Sequence, residues 1–451
     1  MHKFTNLQDI KYEYNIILDK NYVNLSEEIL IIFNTGIIPN TDDQNLLKII
    51  GLYYNFIEKK YDEMKKYYII AIDKGNSDAM FNLACYYQFT EKNYDLMKHY
   101  YLMAINNKNI YAMFNLGNYY QTIENYDLMK KYYLMAIYKG NSSAMYNLGK
   151  YYETIEINYD LMKKYYLMAI NNDGKGNIYA MYKLAIYYEN IEQNYDLMKK
   201  YYLMVIDNGN NNIIYNKLIE EKHDINNQYI DPITIFDNKY SNKNYLIMAM
   251  YNLGYYYNSI EKNYDLMKKY YLMAIDLEDN YTMYKLGNYY EKIEINYDLM
   301  KKYYLMAIDN GNYDAIYKLG RYYHVSEKNY ENMKKYYLMA IDKGNIDAMY
   351  NLGNYYEFIE KNYDLMKKYY LIGIDRGNSN AMFNLGNYYE TIEKNYDLMK
   401  IYYIMAINNG GEGNINSINK LSNYYKNIEK NYYLMVKYNL MSYYKAYINA
   451  F

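Results

Sequence analysis

The 451-residue chain has no tryptophan, one cysteine, two prolines and four histidines. The lone Cys85 cannot form an internal disulfide, which excludes a disulfide-stapled fold and fits a reducing compartment. None of His2, His99, His223 and His324 has a second His, Cys or carboxylate at a metal-site spacing, so no metal is expected. There is no charge excess: 50 basic against 52 acidic residues leave a net charge of −2. Sequence-independent nucleic-acid binders draw most of their affinity from a basic excess, so nucleic acid is not the expected partner. Long apolar runs are missing too. The longest blocks read Tyr-Tyr-Leu-Met-Ala-Ile, far short of the roughly 18 apolar residues of a membrane span. The start, Met1-His2-Lys3-Phe4-Thr5-Asn6, lacks the apolar stretch of a signal peptide. A soluble, cytoplasmic protein is the expectation.

The composition is rich in other residues. Tyrosine occurs 77 times and methionine 30 times, and Asn, Ile and Lys are abundant. Part of that bias follows A/T-rich codons. An apolar-plus-aromatic fraction of 51% is ample for a core, so disorder is not the default.

Internal periods come first, because overlooking them misassigns a whole fold. The string Ala79-Met80-Phe81-Asn82-Leu83 has counterparts beginning at Ala112, Ala144, Ala180, Ala249, Thr282, Ala315, Ala348 and Ala381. Looser versions begin at Leu46, Ile213 and Ser417. Most spacings are 33 residues; one is 32, and three are 36. Extra residues fall at one connection, around Asp173-Gly174-Lys175 and Gly410-Gly411-Glu412.

Each unit reads as two helices. From Ala348, the residues Ala348, Leu352 and Tyr356, with Met349 and Gly353, form one apolar stripe. Asn362 is a plausible N-cap, with Asp364 in the first turn. Leu365, Met366, Tyr369, Tyr370, Ile372 and Gly373 form a second stripe. Gly377 is a helix stop and Asn378 the next cap. Isolated helices of about twelve residues are marginal in water, so their stability must come from stacking. A mid-helix glycine costs about 1 kcal/mol relative to alanine. Its recurrence at Gly51, Gly117, Gly149, Gly254, Gly287, Gly320, Gly353 and Gly386 implies close approach of the two helices. Ala84, Ala185 and Ser422 replace it elsewhere.

The predicted fold is all-α: a right-handed α-solenoid of about 12 antiparallel helix-pair repeats. Residues 1–45 are expected to form an N-terminal helical cap, with pieces around Asp9–Leu18 and Leu25–Phe33. Residues 46–212 hold about five repeats, and 213–248 a degenerate repeat with an irregular insertion. Residues 249–451 hold about six repeats with a C-terminal capping helix. Within the middle segment, residues 223–243 lose the second-helix pattern, and Ile233-Thr234-Ile235-Phe236 reads as extended.

The string Ala-Ile-Asp-Lys-Gly-Asn-Ser-Asp-Ala-Met-Phe-Asn-Leu-Ala at 71–84 resembles the junction of the Sel-one-like repeat, a relative of the tetratricopeptide repeat. That family has a Leu-Gly pair, matched by Leu352-Gly353, and a Tyr three residues later, matched by Tyr356. Tyr369-Tyr370 stand where its Trp-Tyr pair would be. Ala340-Ile341 fill its Ala-Ala slot, and Gly377 precedes Ala381 by four. The match covers roughly residues 46–450. The family's Gly-x-Gly loop between the helices is missing, and the unit is about three residues shorter. The Tyr/Asn/Lys-rich copies also resemble repeat proteins of giant, mimivirus-like DNA viruses. The family resemblance implies adaptor work on partner proteins, with no catalytic residue and no cofactor.

The residues offer little chemistry of their own. Cys85 has no accompanying His and reads as an incidental small residue. Gly174-Lys175-Gly176-Asn177 lacks the strand, the earlier Gly and the Ser/Thr of a phosphate loop. The recurrent Asp-Leu-Met-Lys-Lys reads as a solvated helix face, and His324 as exposed. In paired tyrosines such as Tyr355-Tyr356, one ring can be buried while its neighbour lies at the edge.

In helix-pair solenoids the first helices line the concave surface. With core positions one, five, six and nine, positions three, seven and ten are expected to face away from the second helix. The candidate partner-binding residues are Tyr251, Tyr255, Tyr284, Asn288, Tyr317, Arg321, Tyr350, Asn354, Phe383 and Asn387. Asn258, Glu291, His324, Glu357 and Glu390 occupy position ten. A ladder of aromatics beside Asn and Glu suits peptide recognition; packing between neighbouring first helices accounts for it equally. The leading functional reading is a non-catalytic protein-interaction scaffold. A helical-repeat RNA-binding protein and a structural component of a virus particle are the alternatives.

Overall fold

The structure, a computed structural model, describes residues 4, 6–14, 20–172, 176–221, 232–410 and 413–448. His2, His223, Lys175 and Gly174 lie outside them. Among the described residues every regular element is helical. The chain divides into two compact units, Met1–Tyr270 and Tyr271–Phe451. Within each, helix pairs stack in series.

The Ala348 repeat shows why. Its first helix spans Ile346–Phe358 and its second Tyr363–Asp375. Both starts are fixed by asparagine caps. Asn362 Oδ1 accepts the Leu365 amide at 3.1 Å, and Asn378 Oδ1 accepts the Ala381 amide at 2.8 Å. Caps of this kind are worth about 1 kcal/mol each. The chain leaves the second helix through Gly377 at φ +81°, a left-handed stop that glycine adopts without steric cost. Between the helices the left-handed residue is Lys361, at φ 59°. One non-glycine left-handed residue thus closes the turn where the resembling family would have Gly-x-Gly.

Ala348, Leu352, Met366 and Tyr370 are fully buried. On the second stripe Ile374 is buried, whereas Ile372 is only half-buried. Both rings of Tyr355-Tyr356 are buried, where the sequence suggested one at an edge. The cause is a second layer of aromatic packing. Tyr356 lies parallel to Tyr369 of its own second helix, at 5.6 Å and 7°. Tyr355 meets Tyr330 of the preceding second helix at 5.1 Å. The parallel stack recurs as Tyr152–Tyr165, Tyr290–Tyr303 and Tyr389–Tyr402. Each such pair adds about 0.5–1.5 kcal/mol beyond area burial.

The middle of the chain corrects one expectation. Ile233-Thr234-Ile235-Phe236 lies inside a 28-residue helix, Pro232–Ser259. A short β-branched run does not outweigh a long helical context, and Pro232 stands at the first helical position, where its missing N–H costs nothing. The preceding helix, Tyr195–Glu221, is likewise long, at 27 residues. At the start of the chain, helices Leu7–Tyr14 and Ser26–Thr35 fall on the expected pieces, of which residues 15–18 lie outside the described residues.

Candidate partner-binding face

The recurrent glycine and the second tyrosine of the second-helix pair build the interior of most repeats. A Cβ on Gly353 would lie 2.4 Å from Tyr370 Cδ1, so the tyrosine ring rests flat against the first helix where glycine leaves room. The ring is fully buried. Its hydroxyl then reaches the far side of the first helix, 2.6 Å from both Asn354 Oδ1 and Glu357 Oε2. Asn384 of the next repeat donates to the same hydroxyl at 3.1 Å and to Asn354 at 2.9 Å. Burial, and next the nearby Glu357 carboxylate, hold the Tyr370 pKa far above the ordinary phenol range. Burial also raises the Glu357 carboxyl.

This geometry corrects the expected orientation of the candidate residues. The rings at position three lie against a second-helix tyrosine, and positions seven and ten reach its hydroxyl in some repeats. Tyr350 stacks on Tyr370 at 6.2 Å, Tyr317 on Tyr337 at 6.0 Å and Phe383 on Tyr403 at 5.8 Å. Tyr284 lies tilted on Tyr304 at 6.0 Å. Asn288 accepts from Tyr304 at 3.0 Å, as Asn354 does from Tyr370. Asn387 is half-buried. Arg321 and Tyr255 are exposed, with Tyr251 stacked on Tyr255 at 6.2 Å. The ring expected to lie between first helices does so in some repeats: Phe81 also meets Tyr111, and Tyr146 meets Tyr179. His324 is half-buried rather than exposed. Its Nδ1 lies 3.3 Å from the Tyr337 hydroxyl, in the place Glu357 takes beside Tyr370. Burial lowers its pKa.

The residues brought together form a half-buried polar ladder along the first helices. The fullest rungs, at Tyr133 and Tyr370, join a second-helix tyrosine hydroxyl to the residues at positions seven and ten and to a donor at position four of the following repeat; others, such as Tyr202 with Glu189 and Asn252, hold part of this set. The donor at position four was missed by sequence reasoning. It is Asn147 or Asn384 in some repeats and a lysine in others, with Lys183 reaching Glu153 at 3.1 Å and Lys420 reaching Glu390 at 2.8 Å. The signal was the restriction of that position to Asn or Lys. Near Tyr317, Arg321 and Asp347 bring opposite charges to one ring, whose hydroxyl accepts from Asn351 at 3.0 Å.

Cys85 joins a rung as well. Its sulfur lies 3.4 Å from the Tyr101 hydroxyl, and Asn115 reaches it at 3.9 Å. Part of the residue remains accessible, but the sulfur is enclosed, and burial pushes the thiol up to about 11. It is therefore protonated and a poor nucleophile at neutral pH. Among the described residues no three His, Cys, Asp or Glu side chains gather as a metal site would require. No described helix is long and apolar enough to cross a membrane.

On the opposite side, the Asp-Leu-Met-Lys-Lys face is not wholly solvated. Its first lysine crosses to the next repeat. Lys334 pairs with Glu360 at 2.6 Å over the Tyr355 ring, and Lys367 with Glu393 at 2.7 Å over Tyr388. In the repeat of 32 residues Glu124 itself takes the left-handed turn position, and Lys98 of the preceding repeat pairs with Asp95 of its own helix at 3.0 Å. The hydrogen bond from the lysine holds Glu192, Glu360 and Glu393 below their ordinary pKa of 4.5. A lowered carboxylate pKa contributes stability that is complete above about pH 4.5 and lost as pH falls below it; the raised Glu357 acts in the opposite sense. Asp42 and Glu58 are lowered as well, each by a lysine hydrogen bond; with five lowered carboxyls against one raised among the described residues, the urea midpoint is expected to fall on acidification below pH 4.5. The fall should be smaller in Glu360→Gln/Glu393→Gln and in 1 M salt, since each partly exposed pair is worth less than about 1 kcal/mol. Urea titrations across pH 3 to 7 check this.

No family model and no curated protein matches the chain. Several solved structures resemble it. A protective antigen of uropathogenic Escherichia coli displaying an SLR fold is 20% identical, over 88% of this chain and 92% of that one, at a TM-score of 0.35. A Sel1 repeat protein from Oxalobacter formigenes is 26% identical over 48% of this chain and 94% of that one, at a TM-score of 0.37. A human IFIT1 dimer with PPP-AAAA is 12% identical over 98% and 99%, at a TM-score of 0.29.

Proposed function

We propose that the chain is a non-catalytic, Sel-one-like scaffold that holds protein or peptide partners against the face formed by its first helices. One observation carries this reading: the same face repeats in register. In most repeats the aromatic at position three lies stacked or tilted against a buried tyrosine, with polar groups held beside it. Groups immobilised before a partner arrives lose little entropy on binding, which favours recognition by many modest contacts. The solvent-facing chemistry lies in Tyr255, Arg321 and Asp347 and in the ring edges of Tyr284, Tyr317, Tyr350 and Phe383. A chain of this kind acts in the host cytoplasm if it is viral, and detection in purified particles by mass spectrometry would point instead to a structural role there.

The test is affinity capture from native cells with the full chain and with Arg321→Glu/Asp347→Lys. Both side chains are exposed, so the fold should persist. At least tenfold weaker recovery of specific proteins is expected, about 1.4 kcal/mol, with no change in Lys368→Ala/Leu371→Ala on the second-helix face. An unchanged partner set in the first variant would remove the first-helix face. Recovery that is lost with ribonuclease and falls steeply with salt would replace this reading by RNA binding.

A further inference from the structure

Position ten of a first helix commonly gives the buried tyrosine of the same repeat its acceptor. Gln88 accepts from Tyr101 at 2.6 Å, Gln121 from Tyr133 at 2.6 Å and Glu291 from Tyr304 at 2.8 Å. In the Ala315 repeat that place holds His324, whose Nδ1 lies 3.3 Å from the Tyr337 hydroxyl. An amide does not titrate and a carboxyl titrates at about pH 4, whereas an imidazole changes state near neutral pH. Position seven differs as well. Asn288 and Asn354 accept there from Tyr304 and Tyr370, but Arg321 can only donate. Asn351, at position four of the following repeat, donates to Tyr317 at 3.0 Å. Among the described residues, His324 is the only hydrogen-bond partner of the Tyr337 hydroxyl.

With the imidazole neutral, the hydroxyl donates to Nδ1 as its counterparts donate to oxygen. Protonation reverses the contact, because both ring nitrogens then donate. The Tyr337 proton loses its acceptor, and a polar group left unmet beside a buried ring is costly. The imidazolium would stand among the rings of Tyr337, Tyr355 and Tyr330, at 5.9, 6.3 and 6.4 Å. At about 6 Å, the outer limit of a cation–π contact, they return little. The surrounding charges do not compensate. Arg321 on the same helix and Lys334 on the second are themselves cations. Glu360 is held by Lys334 at 2.6 Å, Glu327 in the turn acts on Tyr322, and Asp347 of the following repeat acts on Tyr317. We propose that His324 is an acid-sensitive latch on the Ala315 repeat: on gaining a proton it releases the Tyr337 hydroxyl and loosens helices Asp314–Val325 and Tyr330–Asp342, with the Tyr317 and Arg321 surface they carry. Burial holds the imidazole below its ordinary 6.5. The unfolded chain thus takes the proton first, and the stability is complete above pH 6.5 and falls as pH drops below it.

Hydrogen exchange of the full chain at about pH 7 and pH 5.5, corrected for the intrinsic pH dependence of exchange, tests this. Protection of Asp314–Val325 and Tyr330–Asp342 should fall about threefold or more at the lower pH, relative to Ser77–Phe89 and Tyr94–Asn106, where Gln88 is the acceptor. His324→Gln gives the repeat the acceptor that Gln88 and Gln121 supply elsewhere, so protection at pH 7 should hold and the loss at pH 5.5 should vanish. Unchanged relative protection in the parent, the same loss in His324→Gln, or an imidazole that titrates at or above 6.5 by NMR would overturn the proposal. Its bearing on partners rests on the first-helix face being the partner site. Recovery should then fall at pH 5.5 for the parent and hold for His324→Gln. Exchange decides the latch by itself: a loss of protection with unchanged recovery would support the latch and count against that face.

Discussion

Tyr370→Ala is expected to cost about 3–5 kcal/mol, the range for removing a buried aromatic side chain and leaving a cavity. The loss exceeds that of a comparable surface tyrosine because the ring fills the space beside Gly353 and its hydroxyl organises Asn354, Glu357 and Asn384. Tyr370→Phe separates the two contributions. It keeps the ring and removes the hydroxyl, at about 1–3 kcal/mol. That cost should depend on pH. Glu357 is 9% exposed and already holds its proton more tightly than usual. Without the hydroxyl its carboxyl rises further, so the variant loses more stability as pH rises through 4.5 than the parent does. Denaturation at pH 4 and pH 7 measures the difference; an equal cost at both would mean that the hydroxyl does not stabilise the carboxylate. Repeat stability is a sum of local and nearest-neighbour contributions. Hydrogen exchange should therefore rise in Ile346–Phe358, Tyr363–Asp375 and the adjoining helices, and not throughout the stack.

Gly353→Val is expected to cost about 3 kcal/mol, at the upper end for forcing side-chain atoms into a packed interior. Alanine is a different case. Ala84 and Ala185 already stand opposite Tyr101 and Tyr202, both fully buried. There a gain of about 1 kcal/mol in helix propensity offsets a small displacement of the ring. Gly353→Ala should accordingly fall within about 1 kcal/mol of the parent. The final repeat carries the converse arrangement: with Ser422 at the glycine position, the facing residue is Asn439, whose Oδ1 lies 2.6 Å from the serine hydroxyl. The double variant Gly353→Val/Tyr370→Ala should be no less stable than Tyr370→Ala alone, because valine enters space the ring vacated. Strictly additive losses in a thermal or urea cycle would show that the two residues do not share that space.

These contacts also mark how far the sequence could be read. The stripe Ala348, Leu352, Tyr356 and the caps Asn362 and Asn378 were legible because each is a short-range pattern within one helix or at its end. Close approach at Gly353 was legible from its helix-propensity cost, but the atom that approaches was not. A tyrosine 17 residues later belongs to another helix, and periodicity says nothing about which residues of two helices meet. For the same reason the contacts of positions three, seven and ten with a second-helix tyrosine were not foreseen. The lysine-to-glutamate joints were hidden because Lys334 and Glu360 are 26 residues apart in different repeats. Ile233-Thr234-Ile235-Phe236 was misread because a run that short fits either period.

The contact between position four and the preceding buried tyrosine has a kinetic consequence. In Asn147–Tyr133 and Asn384–Tyr370 it closes a span of 14 residues. Nearly all neighbouring contacts are similarly local, which places the chain among topologies that order quickly and can nucleate in many places. Asn252–Tyr202 is the same contact at 2.8 Å, but it spans 50 residues. Closing the longer loop adds about 1 kcal/mol of chain entropy. Ordering that spreads from either side would be slowed at that joint.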